Sequence, residues 1–194
     1  MWKNFQFGLL NFVVILMINR IKKQFPVFKG EPPKDNMKAA VMVILYFRNG
    51  NLHIILIRRS RELNRHPGEI GFPGGVFEKK DKNLLVTAQR ETVEEINLWV
   101  EEALVIGRLD SVTTLTGFEI TPFVALIDHI PSYEPNFEEV EKVFNIPLFP
   151  LLKTQEPGSN LKNSVRMIAF WHKGNKIWGA TSKILSQLAC LKNF

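Results

Sequence analysis

Residues 84–98 read LLVTAQRETVEEINL, and this stretch decides how the chain folds. Apolar residues at 84, 85, 88, 93, 96 and 98 recur among charges at the spacing of one helical face, which predicts a helix over Leu84–Leu98. Within it, Glu91 and Glu95 lie four apart and Glu91 and Glu94 three apart, so the three carboxylates share a face. At about 5 Å and an effective dielectric near 20, each pair repels by roughly 3 kcal/mol before screening. A solvated acidic face would lower that to little. A hard divalent cation would reverse its sign, because Mg²⁺ takes carboxylate oxygens together with substrate phosphate. On these residues alone, both readings stand.

Just upstream lies Phe72-Pro73-Gly74-Gly75. Adjacent glycines permit positive φ and close approach of backbone to a ligand, and exposed N–H groups there can hold phosphate oxygens. Before it come Arg58, Arg59, Arg61 and Arg65, whose guanidinium groups match phosphate geometry, although in a strand-then-loop stretch not all can face inward. Lys38–Phe47 carries the β-branched and aromatic run AAVMVILYF. Asn49-Gly50 follows as a hairpin signal, and His53–Ile57 returns as the second strand. Arg58–Gly75 reads as a long connection. Val105–Leu109 and Ile120–Ile127 read as strands, with loops at Pro131–Asn136 and Gln155–Asn160 and a short turn or helix at Pro147–Leu152. Val165–Trp171 and Lys176–Trp178 suggest a hairpin around Gly174-Asn175, and Ala180–Leu191 a closing helix. Mixed strands with two substantial helices indicate one α/β domain from about residue 37 to 194, preceded by an apolar segment and linker over 1–36.

The 194 residues are 45% hydrophobic with a net charge of +6, which excludes a disordered chain and favours anionic ligands. A lone cysteine, Cys190, excludes an internal disulfide and a Cys-based zinc site, and its apolar helix suggests a buried small side chain. The apolar run Phe5–Ile18 is interrupted by Gln6 and Asn11 and is short for a bilayer span. It reads either as the product of a start placed ahead of Met17 or as a membrane anchor through residues 5–18. The basic surface suits nucleic acid, anionic lipid or a small phosphorylated ligand, or is a solvated face with an excess of lysine, and the single thiol suits a reducing compartment.

Gly75, Arg90, Glu91, Glu94, Glu95 and Leu98 together resemble the box of the Nudix hydrolases: G, five residues, E, seven residues, R-E-U-x-E-E-x-G-U, where U is apolar. Asp81 stands where Glu is usual, with one extra residue before Arg90. Thr92 replaces an apolar residue and Asn97 a glycine, tolerable because Asn also adopts the left-handed conformation. Leu56-Ile57-Arg58-Arg59-Ser60, Leu63, His66, Gly68 and Phe72-Pro73-Gly74-Gly75 are similar to the signature of the coenzyme A diphosphatase branch, with Ile57 in place of Thr. Gly117–Phe123 and Ile177–Thr181 also look like that branch, as do the acids at Glu78 and Asp81 and the one-residue insertion.

The resemblance implies an α/β/α sandwich with a mixed sheet, and hydrolysis of coenzyme A to 3′,5′-ADP and 4′-phosphopantetheine with Mg²⁺ or Mn²⁺, in a cytoplasmic protein with a small-molecule substrate and no nucleic-acid partner. It implies Glu91 and Glu95 as primary metal ligands with Glu94 as a further one, and Arg90 as the group orienting a carboxylate. Glu91, Glu94 and Arg90 then form the catalytic set. Arg59, Arg58, His66, Gly74 and Gly75 are the substrate-binding candidates, although bracing of its own loop serves His66 equally well. The general base is a box glutamate or one from a later loop, where Glu138 and Glu139 are outside candidates. Trp171 and Trp178 read as packing aromatics that could alternatively stack adenine. The alternatives are a Nudix enzyme for NADH, ADP-ribose or a nucleoside triphosphate, and a non-catalytic nucleotide-binding module.

Overall fold

A computed structural model describes residues 37–128, 131–158 and 167–192, with the helical residues Ile15, Leu16, Ile18, Asn19 and Lys23 before them. Strand β1 (Lys38–Arg48) turns back into β2 (Asn51–Arg59) through Asn49-Gly50, whose φ values of 49° and 73° suit a tight antiparallel hairpin. The far half of β1 pairs with β2 and its first residues pair with β4 (Gly74–Val76), both antiparallel. Its other edge pairs in parallel with β7 (Glu119–Ile127). β3 (Ile70–Gly71) and β8 (Val140–Pro147) join β2, while β5 (Val105–Arg108) and β6 (Val112–Thr113) join β7. The result is a mixed eight-stranded sheet.

The run AAVMVILYF is apolar throughout because the sheet is covered on both faces. Ala40, Met42, Ile44 and Tyr46 join Ile55, Ile57, Phe123 and Ala125 under α1 (Leu84–Ile96). Val43, Leu45, Leu52, Ile54 and Leu56 point the other way, into the core that Leu148 and Leu151 of α2 (Leu148–Leu152) share with Ile184, Leu185 and Leu188 of α3 (Gly179–Lys192). This is one α/β/α sandwich. Helix α1 begins where the Asn83 side chain accepts the Val86 N–H, and stops at Asn97, which is left-handed (φ 49°) and donates its N–H to the Val93 carbonyl. Asn97 therefore fills the glycine's conformational role. Thr92, standing where an apolar residue is usual, is fully buried with its hydroxyl donated to the Ala88 carbonyl at 2.6 Å.

Several expectations are corrected. Pro147, expected to open a turn or helix, instead ends strand Val140–Pro147, which no alternation in the sequence marks because Glu141 and Lys142 are both exposed beside a register shift between Arg58 and Arg59. Arg58–Gly75 contains β3 and β4 rather than being all connection. Glu156–Gly158, expected as loop, is edge strand β9 on β10 (Met167–His172); Pro157 is tolerated at such an edge. The turn from β10 to β11 (Asn175–Ile177) is made by Lys173-Gly174, one residue earlier than expected. Cys190 is exposed, not buried, because it lies on the outer side of α3. The expectations for residues 1–36 lie largely outside the described residues. Of those described, Ile18 is partly buried against the α3-side core. Among the described residues no helix is long and apolar enough to cross a membrane.

Candidate active site

Strand β4 lies under α1, and its two glycines do different work. Gly74 has φ 152°, and a side chain there would overlap the β1 backbone at Ala40 and Val41. Its N–H donates to the Glu95 carboxylate at 2.9 Å. A side chain at Gly75 would instead occupy the space of the Glu91 carboxylate. The glycine pair thus packs strand on strand at one residue and admits an acid at the next.

Arg90 gathers the acids around it. Its Nε and Nη2 donate to the two Asp81 oxygens at 3.0 and 3.1 Å, and Nη1 donates to Glu91 and Glu94 at 2.7 Å each. Nη2 also reaches the Val76 carbonyl at 3.1 Å, which ties the helix to β4. Asp81 is buried and accepts further bonds from the Thr87 hydroxyl and the Glu78 N–H. Burial alone would raise its pKa, but these bonds and the Arg90 charge hold it below the usual carboxylate range. The same acids keep the Arg90 guanidinium far above its ordinary value despite burial.

Glu95 is 1% exposed and receives Arg59 Nη1 at 3.1 Å besides the Gly74 N–H. Burial pushes its carboxyl up to about 8, outweighing the Gly74 and Arg59 contacts, and the negative fields of Glu91 and Glu139 add to the rise. Burial raises Glu91 as well, with Glu94 and Glu139 adding to the rise against the pull of Arg90. Glu139 is close enough to act on both because its loop is stitched to this end of α1. The Glu134 and Asn136 N–H groups donate to the Ile96 and Glu95 carbonyls at 2.8 and 2.9 Å, and the Ser60 N–H donates to the Glu139 carbonyl at 2.8 Å. Tyr133 holds the same loop from beneath, accepting from Asn145, which in turn accepts from the buried Tyr46 hydroxyl.

The other candidates lie elsewhere. Arg58 alternates with Arg59 along β2 and turns to the α3 side, where it donates to Glu141 at 3.2 Å and Asn175 at 2.5 Å and lies over the Phe144 ring. His66, left-handed at φ 54°, meets Glu69 at 3.1 Å within its own exposed loop. Trp171, 37% exposed, donates its indole N–H to Glu156, and Trp178 is 43% exposed, so neither is the packing aromatic expected. Sequence reasoning missed the pairing of Arg59 with Glu95 and the Tyr46–Asn145–Tyr133 relay. Neither carries a local signal, since the partners are far apart in the chain.

Among the described residues, no three acidic or imidazole side chains already converge as a metal cage. Arg90 draws Glu91 and Glu94, while Glu95 faces Gly74 and Arg59. The donor set nevertheless fits a hard divalent cation: it is all carboxylate oxygen, and burial and mutual repulsion disfavour the charged forms of Glu91 and Glu95, a cost that a bound cation would offset.

A sandwich whose acid-bearing helix docks on a paired-glycine strand defines the Nudix class of α/β domain. The NUDIX domain pattern matches residues 37–171, and the chain belongs to the Nudix hydrolase family. Proteins named uncharacterized Nudix hydrolase NudL are similar over most of their length. The one from Photorhabdus laumondii is 34% identical over 179 residues, covering 89% of this chain and 94% of that protein. The one from Yersinia enterocolitica is 32% identical, covering 89% of each. Among solved structures, a MutT/nudix family protein from Enterococcus faecalis has a TM-score of 0.54 at 14% identity, covering 90% of this chain and 70% of that one. The Nudix domain of Shewanella oneidensis NrtR, solved with ADP ribose, has a TM-score of 0.50 at 20% identity over 65% of this chain and 79% of that one. These likenesses establish the fold. The protein is a Nudix hydrolase, of a family that acts on pyrophosphate bonds and generally uses divalent metals such as Mg²⁺ or Mn²⁺.

Proposed function

We propose that the chain hydrolyses the diphosphate bond of coenzyme A or its derivatives, giving 3′,5′-ADP and 4′-phosphopantetheine, with Mg²⁺ or Mn²⁺ held by Glu91, Glu95 and Glu94. The observation that carries this reading is Arg59. It comes from the branch-like stretch at 56–75, is bonded to the buried Glu95, and has a buried Nε with no hydrogen-bond partner. The Arg59 side chain is 30% exposed beside the acids, so the outer part of its guanidinium can offer planar, charge-assisted donors to a diphosphate oxygen. Arg90 is a positioning residue: clamped by Asp81, it holds Glu91 and Glu94 at fixed height along the helix. Gly74 packs β4 on β1 and gives its N–H to Glu95, and Gly75 leaves room over β4 for the Glu91 carboxylate. Arg58 and His66, engaged with Glu141, Asn175 and Glu69, brace the fold around the site.

When bound, a divalent cation neutralises the diphosphate and lowers the pKa of attacking water. Water adds to one phosphorus and the other phosphate leaves. The proton goes to a carboxylate, for which Glu139 is better supported than Glu138 because its charge acts on both Glu91 and Glu95.

The test is a substrate panel with Mg²⁺ or Mn²⁺ that includes coenzyme A, ADP-ribose, NADH and a nucleoside triphosphate, with the products identified. The expected result is fastest turnover of coenzyme A to the two named products. Equal or faster turnover of ADP-ribose defeats the coenzyme A assignment. Tight binding with no turnover of any member defeats the catalytic one.

A further inference from the structure

Phe137 is 74% exposed, although burying a phenyl ring is strongly favourable. It does not sit on a loose tip. Residues 136–140 are locked by the Asn136 N–H to the Glu95 carbonyl, by the Glu139 and Val140 N–H groups to the Asn136 carbonyl, and by the Glu138 N–H to the Asn136 side chain at 3.2 Å. The ring is therefore carried by a turn one residue beyond a backbone bond to Glu95, and two residues before Glu139. On the neighbouring chain, the Ser60 N–H bonds the Glu139 carbonyl, so the segment bearing Arg59 and the exposed Arg61 runs alongside. An aromatic ring carried on a hydrogen-bonded turn beside guanidinium groups matches the two chemically distinct parts of a nucleotide, a π-faced base and a phosphate. Because the turn already fixes the backbone, less backbone ordering entropy is lost on stacking.

We propose that Phe137 is the platform on which the nucleobase of the substrate stacks, so that it sets the preference for nucleoside diphosphates over diphosphates without a base. This rests on the diphosphatase reading for its location, but the contact is independent of which leaving group is cleaved. Nothing in it requires coenzyme A: any adenosine 5′-diphosphate linked to another group presents the same face.

The experiment measures binding of AMP and of ribose 5-phosphate, with Mg²⁺ present, to the full chain and to Phe137→Ala, Phe137→Leu and Phe137→Trp. With so exposed a side chain all three variants are expected to fold as the parent does, which circular dichroism checks. Stacking on an aromatic ring commonly contributes about 1–3 kcal/mol per base, so AMP binding is expected to weaken roughly 5- to 150-fold in Phe137→Ala. Phe137→Leu, which keeps apolar area but no π-face, is expected to recover little of it, and Phe137→Trp to restore it. Ribose 5-phosphate binding is expected to be the same in all four. In turnover, the alanine change raises KM for a nucleoside diphosphate while kcat moves little. AMP binding unchanged in Phe137→Ala, or AMP and ribose 5-phosphate weakened alike, overturns the proposal. A parent chain that binds AMP through Phe137 but hydrolyses no diphosphate overturns the catalytic reading instead and leaves this one standing.

Discussion

Gly74 and Gly75 are adjacent, yet substituting each should damage a different property. Alanine at Gly74 meets the β1 backbone and a left-handed φ, so Gly74→Ala is expected to lower stability by about 1–3 kcal/mol in urea unfolding. Alanine at Gly75 meets the Glu91 carboxylate first, so Gly75→Ala is expected to remove most activity with a smaller change in unfolding midpoint. If both variants lost stability alike, Gly75 would be a packing glycine and not the seat of the acid. Glu95→Gln keeps an acceptor for the Gly74 N–H but loses the charge. Hydrolysis is expected to fall at least about 100-fold, the upper end of what outer-shell changes alone cost at metal sites, with circular dichroism unchanged. Near-parental turnover would show that the cation is held by other groups.

Among the elements, α1 carries the chemistry and its two ends show why it sits where it does. Its C-terminus depends on one residue in the left-handed region. Asn97→Ala should cost about 1 kcal/mol and Asn97→Gly little or nothing, read from chemical denaturation. At the other end, the segment before the helix reaches it through Asp81, whose two oxygens meet Arg90. Asp81→Asn leaves a half-buried guanidinium short of its counter-charge and is expected to cost about 3 kcal/mol and to weaken Mg²⁺ binding, because Arg90 then no longer holds Glu91 and Glu94 in place. Unchanged Mg²⁺ affinity in a folded Asp81→Asn protein would reduce the clamp to a purely structural role. The sequence placed this helix within two residues, since its apolar period is local. Strand β8 escaped it because consecutive exposed Glu141 and Lys142 break the alternation that marks a strand.

For the whole molecule, the buried acids set how stability depends on pH. The folded Glu95 carboxyl titrates near 8 without metal, above the ordinary 4.5 of an exposed Glu. Between those values the folded chain keeps a proton that the unfolded chain has released, so metal-free stability falls as pH rises through that window. Asp81 acts in the opposite sense: its lowered pKa adds stability that is lost as pH falls toward the acid range. In EDTA the melting temperature is therefore expected to decline from pH 6 to pH 8.5. Mg²⁺ should restore more of it at pH 8.5, where no proton competes for the ligand. Glu95→Gln should flatten the EDTA decline. A slope unchanged by that substitution would place the titrating group elsewhere.

From its sequence alone, the chain declared what depends on residues a few positions apart. The apolar strand AAVMVILYF, the Asn49-Gly50 turn, the acid-bearing helix and the adjacent glycine pair all belong to this class. So did the alternation that forbids Arg58 and Arg59 from facing the same way. Tertiary structure alone decided which of the two meets Glu95, that Asp81 clamps Arg90, that Glu139 rather than its neighbour acts on the buried acids, and that Cys190 faces outward. Those outcomes hang on the register between strands and on the docking of one loop against the end of α1. Such register sums many small packing terms over distant residues, and no short stretch of chain contains it.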